Sequence, residues 1–219
     1  MNKTPIYFMP GLAAGPEIFE NLELDPEKYT FHYLKWIKPL ALEEDIDNYA
    51  CRLSDEIKEK NPVLVGVSFG GIMVQEIAKF VNPKKVIIIS SVKNQGELPK
   101  KFKLAKFTKV YKFFPTVIVE NFEDYARYFL GKSLKKKADL YKKYLSVRSK
   151  KYLKWSIYNV LKWEQISPLE DIVHIHGTKD TVFPIKNVKN AIEIKGGTHI
   201  MILTKAKKIS KIIDDVLTF

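Results

Sequence analysis

The stretch from residue 63 to residue 80 constrains the fold of this chain more than any other. Residues 63–67 form an unbroken apolar run, which predicts a buried strand. Gly66-Val67-Ser68-Phe69-Gly70 then matches the pattern G-x-S-x-G, and apolar residues recur after it at helical spacing. This order of strand, sharp turn and helix holds the serine in a strained conformation, with its oxygen exposed above the sheet edge.

Two glycines flank the serine of this motif. Gly66 and Gly70 lie two residues before and two residues after Ser68, where larger side chains would crowd the turn. The helix that follows directs the positive end of its dipole toward the serine. We therefore predict that Ser68 is a nucleophile. The alternative is a glycine-rich turn that carries a serine by chance.

Strand-like and helix-like patterns alternate along most of the chain. Besides residues 63–67, apolar runs predict strands at residues 6–9, 29–36, 86–90, 172–176 and 191–194. Other patterns predict helices at residues 17–22, 42–60 and 204–217. We predict an α/β fold with about six parallel strands and helices on both faces, because such alternation is typical of parallel sheets.

Residues 91–165 interrupt this alternation and differ from the rest of the chain in composition. They hold 19 Lys and Arg against 6 Asp and Glu, and 15 of the 27 aromatic residues. Helical patterns recur there without a convincing strand-like run. We therefore predict a core formed by residues 1–90 and 166–219, and a helical, basic, aromatic-rich insertion at residues 91–165.

The single cysteine and the lack of long apolar runs bear on where the chain works. Cys51 has no partner for a disulfide within the chain, and we predict that it is a small buried residue of a helix. The first residues lack the apolar core of a signal peptide, and no run approaches the ~20 apolar residues of a membrane span. We expect a soluble, cytoplasmic protein without a membrane span.

A serine nucleophile needs a base that takes its proton and a third group that orients the base. Asp180 follows the strand predicted at residues 172–176, and His199 follows the last predicted strand. Both residues therefore lie at the carboxyl edge of the sheet, where open α/β sheets place functional groups. The chain order of serine, acid and histidine also fits the G-x-S-x-G arrangement. We predict that Ser68, Asp180 and His199 form a catalytic triad.

Each partner of the serine also has a simpler interpretation. Asp180 alone could be a turn former or a helix N-cap, and His199 alone could be a solvated loop histidine. A second acid position follows the strand ending at Ser90, but Ser91-Val92-Lys93 offers no carboxylate nearby. Asp180 is therefore the better choice for the acid.

Backbone N–H groups must stabilise the negative oxygen that forms when a serine attacks a carbonyl. We predict that Phe69, the residue after the nucleophile, supplies one of them. Leu12, in the loop Pro10-Gly11-Leu12 after the first strand, is predicted to supply the other, and Gly11 allows the loop to approach closely. The alternative is a plain Gly/Pro turn.

Two further histidines alternate in one predicted strand. His174 and His176 lie on one face of that strand, since successive side chains point to opposite faces. A catalytic zinc takes three protein ligands, and no third ligand follows nearby in the sequence. We interpret both histidines as ordinary strand residues, and we expect neither a metal nor a cofactor.

Together these residues resemble the α/β-hydrolase superfamily. The resemblance covers nearly the whole chain outside residues 91–165, and it depends on four motifs: Pro10-Gly11-Leu12, the elbow from Gly66 to Gly71, Gly177-Thr178-Lys179-Asp180, and Gly197-Thr198-His199. It implies a trimmed version of the fold without the usual leading antiparallel strands. It also implies that residues 91–165 form a helical cap over the active site.

The sequence departs from the superfamily pattern at one position and excludes some of its branches. Pro10 stands where many members carry a histidine before the glycine. This departure affects the oxyanion loop that holds Leu12 and does not affect the triad. Ser68 argues against the dehalogenase and epoxide-hydrolase branches, which use an aspartate nucleophile. The resemblance thus implies a serine hydrolase that cleaves a small-molecule carboxylic ester or thioester through an acyl-enzyme.

Two alternatives belong to other classes of function. The chain could be a ligand-binding protein that retains the fold without catalysis. The basic residues of 91–165, interleaved with aromatics, could instead bind nucleic acid or anionic lipid. Aromatic residues at helical spacing are more typical of the inner face of a cap, so we do not expect nucleic-acid binding.

Overall fold

The computed structural model describes residues 3–100, 102, 104, 143–147 and 149–218. Six strands form one sheet: β1 (Thr4–Met9), β2 (Tyr29–Tyr33), β3 (Val63–Val67), β4 (Lys85–Ile89), β5 (Val173–Gly177) and β6 (Ile192–Ile194). Their order in the sheet is β2-β1-β3-β4-β5-β6, and every neighbouring pair is parallel. The prediction of an α/β fold with six parallel strands is confirmed.

The middle strands are buried because their residues are apolar on both faces. All five residues of β3 are buried, and in β4 only the first residue is partly exposed. Val65 pairs with Phe8 on one side and with Ile87 on the other, which places β3 between β1 and β4. Two-sided burial of an apolar strand is what parallel sheets require.

Helices cover the sheet from both sides. They are α1 (Ile46–Ser54), α2 (Phe69–Ile77), α3 (Lys150–Lys162), α4 (Met201–Thr204) and α5 (Ala206–Thr218), with 3₁₀ turns at Pro16–Phe19, Gln95–Glu97 and Ile185–Asn187. The helix α2 packs against α1 and α3. On the other side, α4 packs against the turn at Pro16–Phe19, and α5 bonds through Asp214 to Tyr29. Right-handed crossovers between parallel strands produce this separation into two layers.

Three predictions about individual elements were wrong in detail. The helix predicted at 42–60 runs only from Ile46 to Ser54, because Glu44 is held outside it by Leu40 N–H and Arg52. Cys51 is exposed, since the buried face of this helix is formed by its neighbours.

The last helix begins earlier than predicted and is divided at Lys205, where the backbone leaves helical geometry. The division lets α4 bury Met201 and Ile202 while α5 buries a separate face with Ile209 and Ile213.

The strand order creates a crevice at the carboxyl edge of the sheet. From β1 the chain moves outward to β2, and it then returns to the other side of β1 to form β3. The segments that follow β1 and β3 therefore diverge at this edge. Ligands of open α/β sheets bind at such a switch point, and here it is flanked by the loop at Gly11 and the turn at Ser68.

The predicted insertion at 91–165 lies partly outside the described residues, so its role as a cap stays a prediction. Of its described residues, Ser91, Val92 and Lys93, which follow β4 closely in the chain, are buried. The helix α3 packs on α1, with the rings of Trp155 and Tyr49 stacked 4.0 Å apart. Within the described parts of the chain, no helix has both the length and the apolar character that crossing a bilayer demands.

Candidate active site

Ser68 occupies the turn between β3 and α2 in a strained backbone conformation. Its φ is 55° and its ψ is −120°, which is unusual for any residue other than glycine. Three hydrogen bonds hold this peptide: Ser68 N–H donates to the Ile89 carbonyl at 2.9 Å, and the Ser68 carbonyl accepts from Gly71 N–H at 2.9 Å and from Ser91 Oγ at 2.7 Å. Bonds from β4, from the residue Ser91 after it and from α2 thus hold Ser68 in its strained conformation.

The two glycines around Ser68 lie against other backbone atoms. A Cβ on Gly66 would stand 2.2 Å from the carbonyl oxygen of Gly70. A Cβ on Gly70 would stand 2.3 Å from the carbonyl oxygens of Met9 and Pro10. Backbone cannot yield as a flexible side chain can, so both positions require glycine for close approach.

The structure brings Ser68, His199 and Asp180 together from three separate strand ends. Ser68 Oγ lies 2.9 Å from His199 Nε2, and His199 Nδ1 lies 2.9 Å from Asp180 Oδ2. Since an ionised carboxylate only accepts, Nδ1 carries the ring proton and Nε2 offers its lone pair to the Ser68 hydroxyl. This arrangement allows the imidazole to take a proton from Ser68.

Asp180 is buried and fully hydrogen-bonded. Its Oδ1 accepts from Val182 N–H at 2.8 Å and from Phe183 N–H at 2.9 Å, which leaves Oδ2 for His199. Burial alone raises the pKa of this carboxyl, but attraction and hydrogen bonding from His199, together with Phe183 N–H, outweigh burial and leave the pKa below its ordinary value. Asp180 is therefore suited to remain ionised beside the imidazole.

Two loops are joined so that the acid and the base meet. Thr178 N–H donates to the Ile194 carbonyl at 3.1 Å, and Lys179 N–H donates to the Gly197 carbonyl at 2.8 Å. In return, Gly196 N–H donates to Thr178 Oγ1 at 2.9 Å. These bonds fix the loop that carries Asp180 against the loop that precedes His199.

The loop after β1 lies directly beside the serine. A Cβ on Gly11 would stand 3.4 Å from the Cβ of Ser68, so this backbone reaches the nucleophile. Among the described residues, Leu12 N–H has no hydrogen-bond acceptor. Phe69 is the first residue of α2, and its N–H therefore has no acceptor within the helix. Both predicted oxyanion donors are thus free of intrahelical or loop partners.

Contacts from distant parts of the chain hold the same loop in place. Trp36 Nε1 donates to the Gly11 carbonyl at 3.0 Å. Gly15 N–H donates to the Tyr144 carbonyl, and Val147 N–H donates to the Ala13 carbonyl, both at 3.0 Å. The loop after β1 is therefore bonded to the segment that follows β2 and to the segment that precedes α3.

His174 and His176 form a buried pair behind the acid. His176 Nε2 donates to the Phe183 carbonyl at 2.8 Å, so its Nδ1 must accept, and His174 Nε2 donates to it at 3.0 Å. Burial, then the neighbouring His176 and Lys93, lower the pKa of His174 to about 3. Burial also lowers the pKa of His176, although the Phe183 carbonyl opposes this effect. Both rings are thus kept neutral.

Several residues of this site carry no local sequence signal. Ser91 and Trp36 each hold a backbone carbonyl of the turn or the loop, and both roles depend on contacts between distant segments. Phe183 N–H holds the carboxylate of Asp180. The alternation of His174 and His176 was visible in the sequence, but the contact of His176 with Phe183 was not. In the described parts of the chain, no group of three or more His, Cys, Asp and Glu side chains is placed to hold a metal ion.

Comparison by sequence returns no relative. No protein-family model matches this chain, and no curated protein matches it.

Comparison of structures returns many similar folds. A bromoperoxidase from Bacillus anthracis is 17% identical, with a TM-score of 0.69 over 100% of this chain and 93% of its own. An esterase from Exiguobacterium antarcticum is 18% identical, with a TM-score of 0.70 over 100% and 93%. An epoxide hydrolase from Bacillus megaterium is 15% identical, with a TM-score of 0.71 over 100% and 94%.

These similarities are ones of fold. Each of the three proteins has the α/β-hydrolase fold, and the alignments extend over the whole of this chain. The chain therefore has the α/β-hydrolase fold in a trimmed form with a six-stranded parallel sheet.

Proposed function

We propose that this chain, which has the α/β-hydrolase fold, is a serine hydrolase that cleaves a carboxylic ester or thioester through an acyl-enzyme. The observation that carries the proposal is the hydrogen-bonded chain from Ser68 Oγ to His199 and on to Asp180, with both distances at 2.9 Å. A nucleophile, a base and an orienting acid in this geometry are what acyl transfer requires.

In the first half of the reaction, Ser68 becomes acylated. Its Oγ bonds to the substrate carbonyl carbon while its proton passes to His199 Nε2. The electron pair of the carbonyl moves onto oxygen, and that oxyanion accepts from the N–H groups of Leu12 and Phe69. When the carbonyl re-forms, the bond to the alcohol or thiol breaks, and His199 gives its proton to that leaving group.

In the second half, water restores the enzyme. Water gives a proton to His199 and bonds to the acyl carbon, which forms a second oxyanion in the same place. Collapse of this intermediate breaks the bond to Ser68 Oγ, which recovers the proton from His199. The sum is one ester or thioester and one water converted to a carboxylic acid and an alcohol or thiol.

Two of the three similar structures carry the names of hydrolytic enzymes, and the third is named as a bromoperoxidase. One is named as an esterase and another as an epoxide hydrolase. Between these two chemistries, the serine at position 68 favours acyl transfer, because its oxygen is activated by the neighbouring base. A ligand-binding protein on the same fold would have no need for the ordered Ser68, His199 and Asp180.

We assign substrate choice to residues 91–165. An insertion that leaves the sheet after β4 and returns before β5 emerges at the edge that carries Ser68. Of its 15 aromatic residues, Trp155 packs on Tyr49 in the core, and we propose that some of the others line an apolar pocket for an acyl group. Its excess of Lys and Arg favours anionic substrates. Phe113, Phe114, Tyr128 and Phe129, which belong to that aromatic set, lie outside the described residues.

Replacement of the nucleophile tests the proposal. Ser68→Ala should lower kcat by several orders of magnitude at unchanged thermal stability, because this side chain reacts and does not pack in the core. A fluorophosphonate probe should label the wild type and not the variant. Ser167→Ala is the matched control, since Ser167 is exposed in a loop after α3. Turnover of Ser68→Ala at the wild-type rate would rule out the serine mechanism.

A further inference from the structure

Trp36 contacts both segments that supply the proposed oxyanion donors. It follows β2, and its indole Nε1–H donates to the Gly11 carbonyl at 3.0 Å. Its ring lies nearly parallel to that of Phe69, with an interplanar angle of 9° and 5.0 Å between centroids. One side chain therefore touches the residue before Leu12 and the side chain of Phe69.

The bond to Gly11 fixes the direction of Leu12 N–H. The Gly11 carbonyl and Leu12 N–H belong to one planar trans peptide, in which the two groups point in opposite directions. Ala14 N–H also donates to the Gly11 carbonyl at 3.0 Å, so this oxygen is held by two donors. Rotation of the peptide would break both bonds, and the orientation of Leu12 N–H is thereby set.

The stacking of the Trp36 ring on the Phe69 ring holds the residue that supplies the second donor, Phe69 N–H. Phe69 is buried between Trp36 and the edge of the Trp155 ring, whose centroid lies 6.0 Å away. Because Phe69 is the first residue of α2, a defined position of its side chain also defines where its N–H begins the helix.

We propose that Trp36 is a positioning residue that holds the two N–H donors of the oxyanion hole, Leu12 and Phe69, in their working orientation. The inference rests on the proposed serine hydrolase function and adds a residue to its machinery. It concerns stabilisation of the tetrahedral oxyanion, since Trp36 acts on the donors and not on Ser68, His199 or Asp180.

The variant Trp36→Phe removes the indole N–H and keeps an aromatic ring against Phe69. We expect kcat to fall about tenfold with KM little changed, which is less than the hundredfold or more that follows loss of an oxyanion donor itself. The affinity for a trifluoromethyl ketone, which forms an oxyanion on the serine, should fall by the same factor as kcat/KM.

Trp163→Phe is the matched control. Trp163 Nε1 also donates a buried hydrogen bond, to Glu76 Oε1 at 2.7 Å. Trp163 is buried, and Glu76 lies at the end of α2 that is remote from Phe69. We expect this variant to lose stability and to keep its kcat and its affinity for the ketone.

Three results would overturn the proposal. They are unchanged kinetics in Trp36→Phe, an equal loss of kcat in Trp163→Phe, or a loss of kcat without weaker binding of the ketone. If Trp36→Phe does not fold, replacing the indole N–H with sulfur, as in benzothienylalanine, puts the same comparison to the test. Failure of the proposed function is distinguishable, because the wild type itself would then resist fluorophosphonate labelling.

Discussion

Three histidines lie in one corner of this molecule, and their surroundings give them different chemical character. His199 contacts Ser68 and Asp180, where a proton can be exchanged. His174 and His176 lie behind the acid, and burial lowers the pKa of both. His174 bonds to His176, which donates to the Phe183 carbonyl, and Phe183 N–H in turn donates to Asp180. Neutral imidazoles thus support the ionised carboxylate without competing with His199 for protons.

This burial predicts how stability depends on pH. The pKa of His174 is about 3 in the folded chain, whereas an exposed histidine has a pKa of about 6.5. Between these values the unfolded chain binds a proton that the folded chain excludes, so stability is complete above about pH 6.5 and falls as the pH drops toward 3. From about pH 7 to about pH 5, His174 should account for a loss of about 2 kcal/mol.

Urea unfolding of the wild type and of His174→Leu at these two pH values measures the effect. The variant should be less stable near neutral pH, because His176 loses its hydrogen-bond donor, but its free energy of unfolding should depend less on pH. The difference between the two slopes isolates His174. Parallel slopes would show that His174 is accessible to protons in the folded chain.

At the scale of elements, the strand–turn–helix unit of β3 and α2 depends on contact between backbones. Gly66 lies on the carbonyl of Gly70 and the Cα of Gly71, so α2 approaches the strand more closely than a side chain would permit. The strained turn at Ser68 is the result of that approach. Loss of either glycine would push the helix away from the strand.

Gly66→Ala should therefore be costly. Its Cβ would meet the Gly70 carbonyl oxygen at 2.2 Å, and we expect a loss of about 3 kcal/mol in the free energy of unfolding, together with loss of probe labelling. Gly96→Ala is the control, since among the described residues its Cβ would meet the side chain of Asn94, at 2.9 Å, and no backbone atom. Wild-type stability and labelling in Gly66→Ala would contradict this account of the turn.

The sequence determined elements well where the signal was local. The apolar runs of β3 and β4 and the glycines at 66 and 70 were sufficient to predict a buried strand and a sharp turn. The start of α1 was not predictable, because the contacts of Glu44 with Leu40 and Arg52 keep the residues before Ile46 out of the helix. The role of Trp36 depends on a loop that is 25 positions away in the chain, and no local pattern shows it.

At the scale of the whole molecule, charge is distributed unevenly. The formal net charge is +12, and residues 91–165 hold 19 basic against 6 acidic residues. The rest of the chain is almost balanced. A field of this kind attracts anions toward the part of the molecule that carries it, and salt weakens the attraction.

Steady-state kinetics at low and high salt test this effect of charge. For two esters that share an acyl group, one with an anionic and one with a neutral leaving group, kcat/KM for the anionic ester should fall severalfold between about 20 mM and about 500 mM salt. The neutral ester serves as the control and should change little. Equal responses of the two esters would mean that the basic residues do not act on substrate.

The hydrogen bonds between the loop after β1 and the segment before α3 have a thermodynamic consequence. Gly15 N–H to Tyr144 and Val147 N–H to Ala13 join the returning end of residues 91–165 to the loop that carries Leu12. Linkage is reciprocal: a molecule that stabilises one position of residues 143–147 also stabilises the bonded position of this loop, by the same free energy. Binding of a molecule at residues 143–147 and the position of the loop that carries Leu12 are then coupled through these two hydrogen bonds.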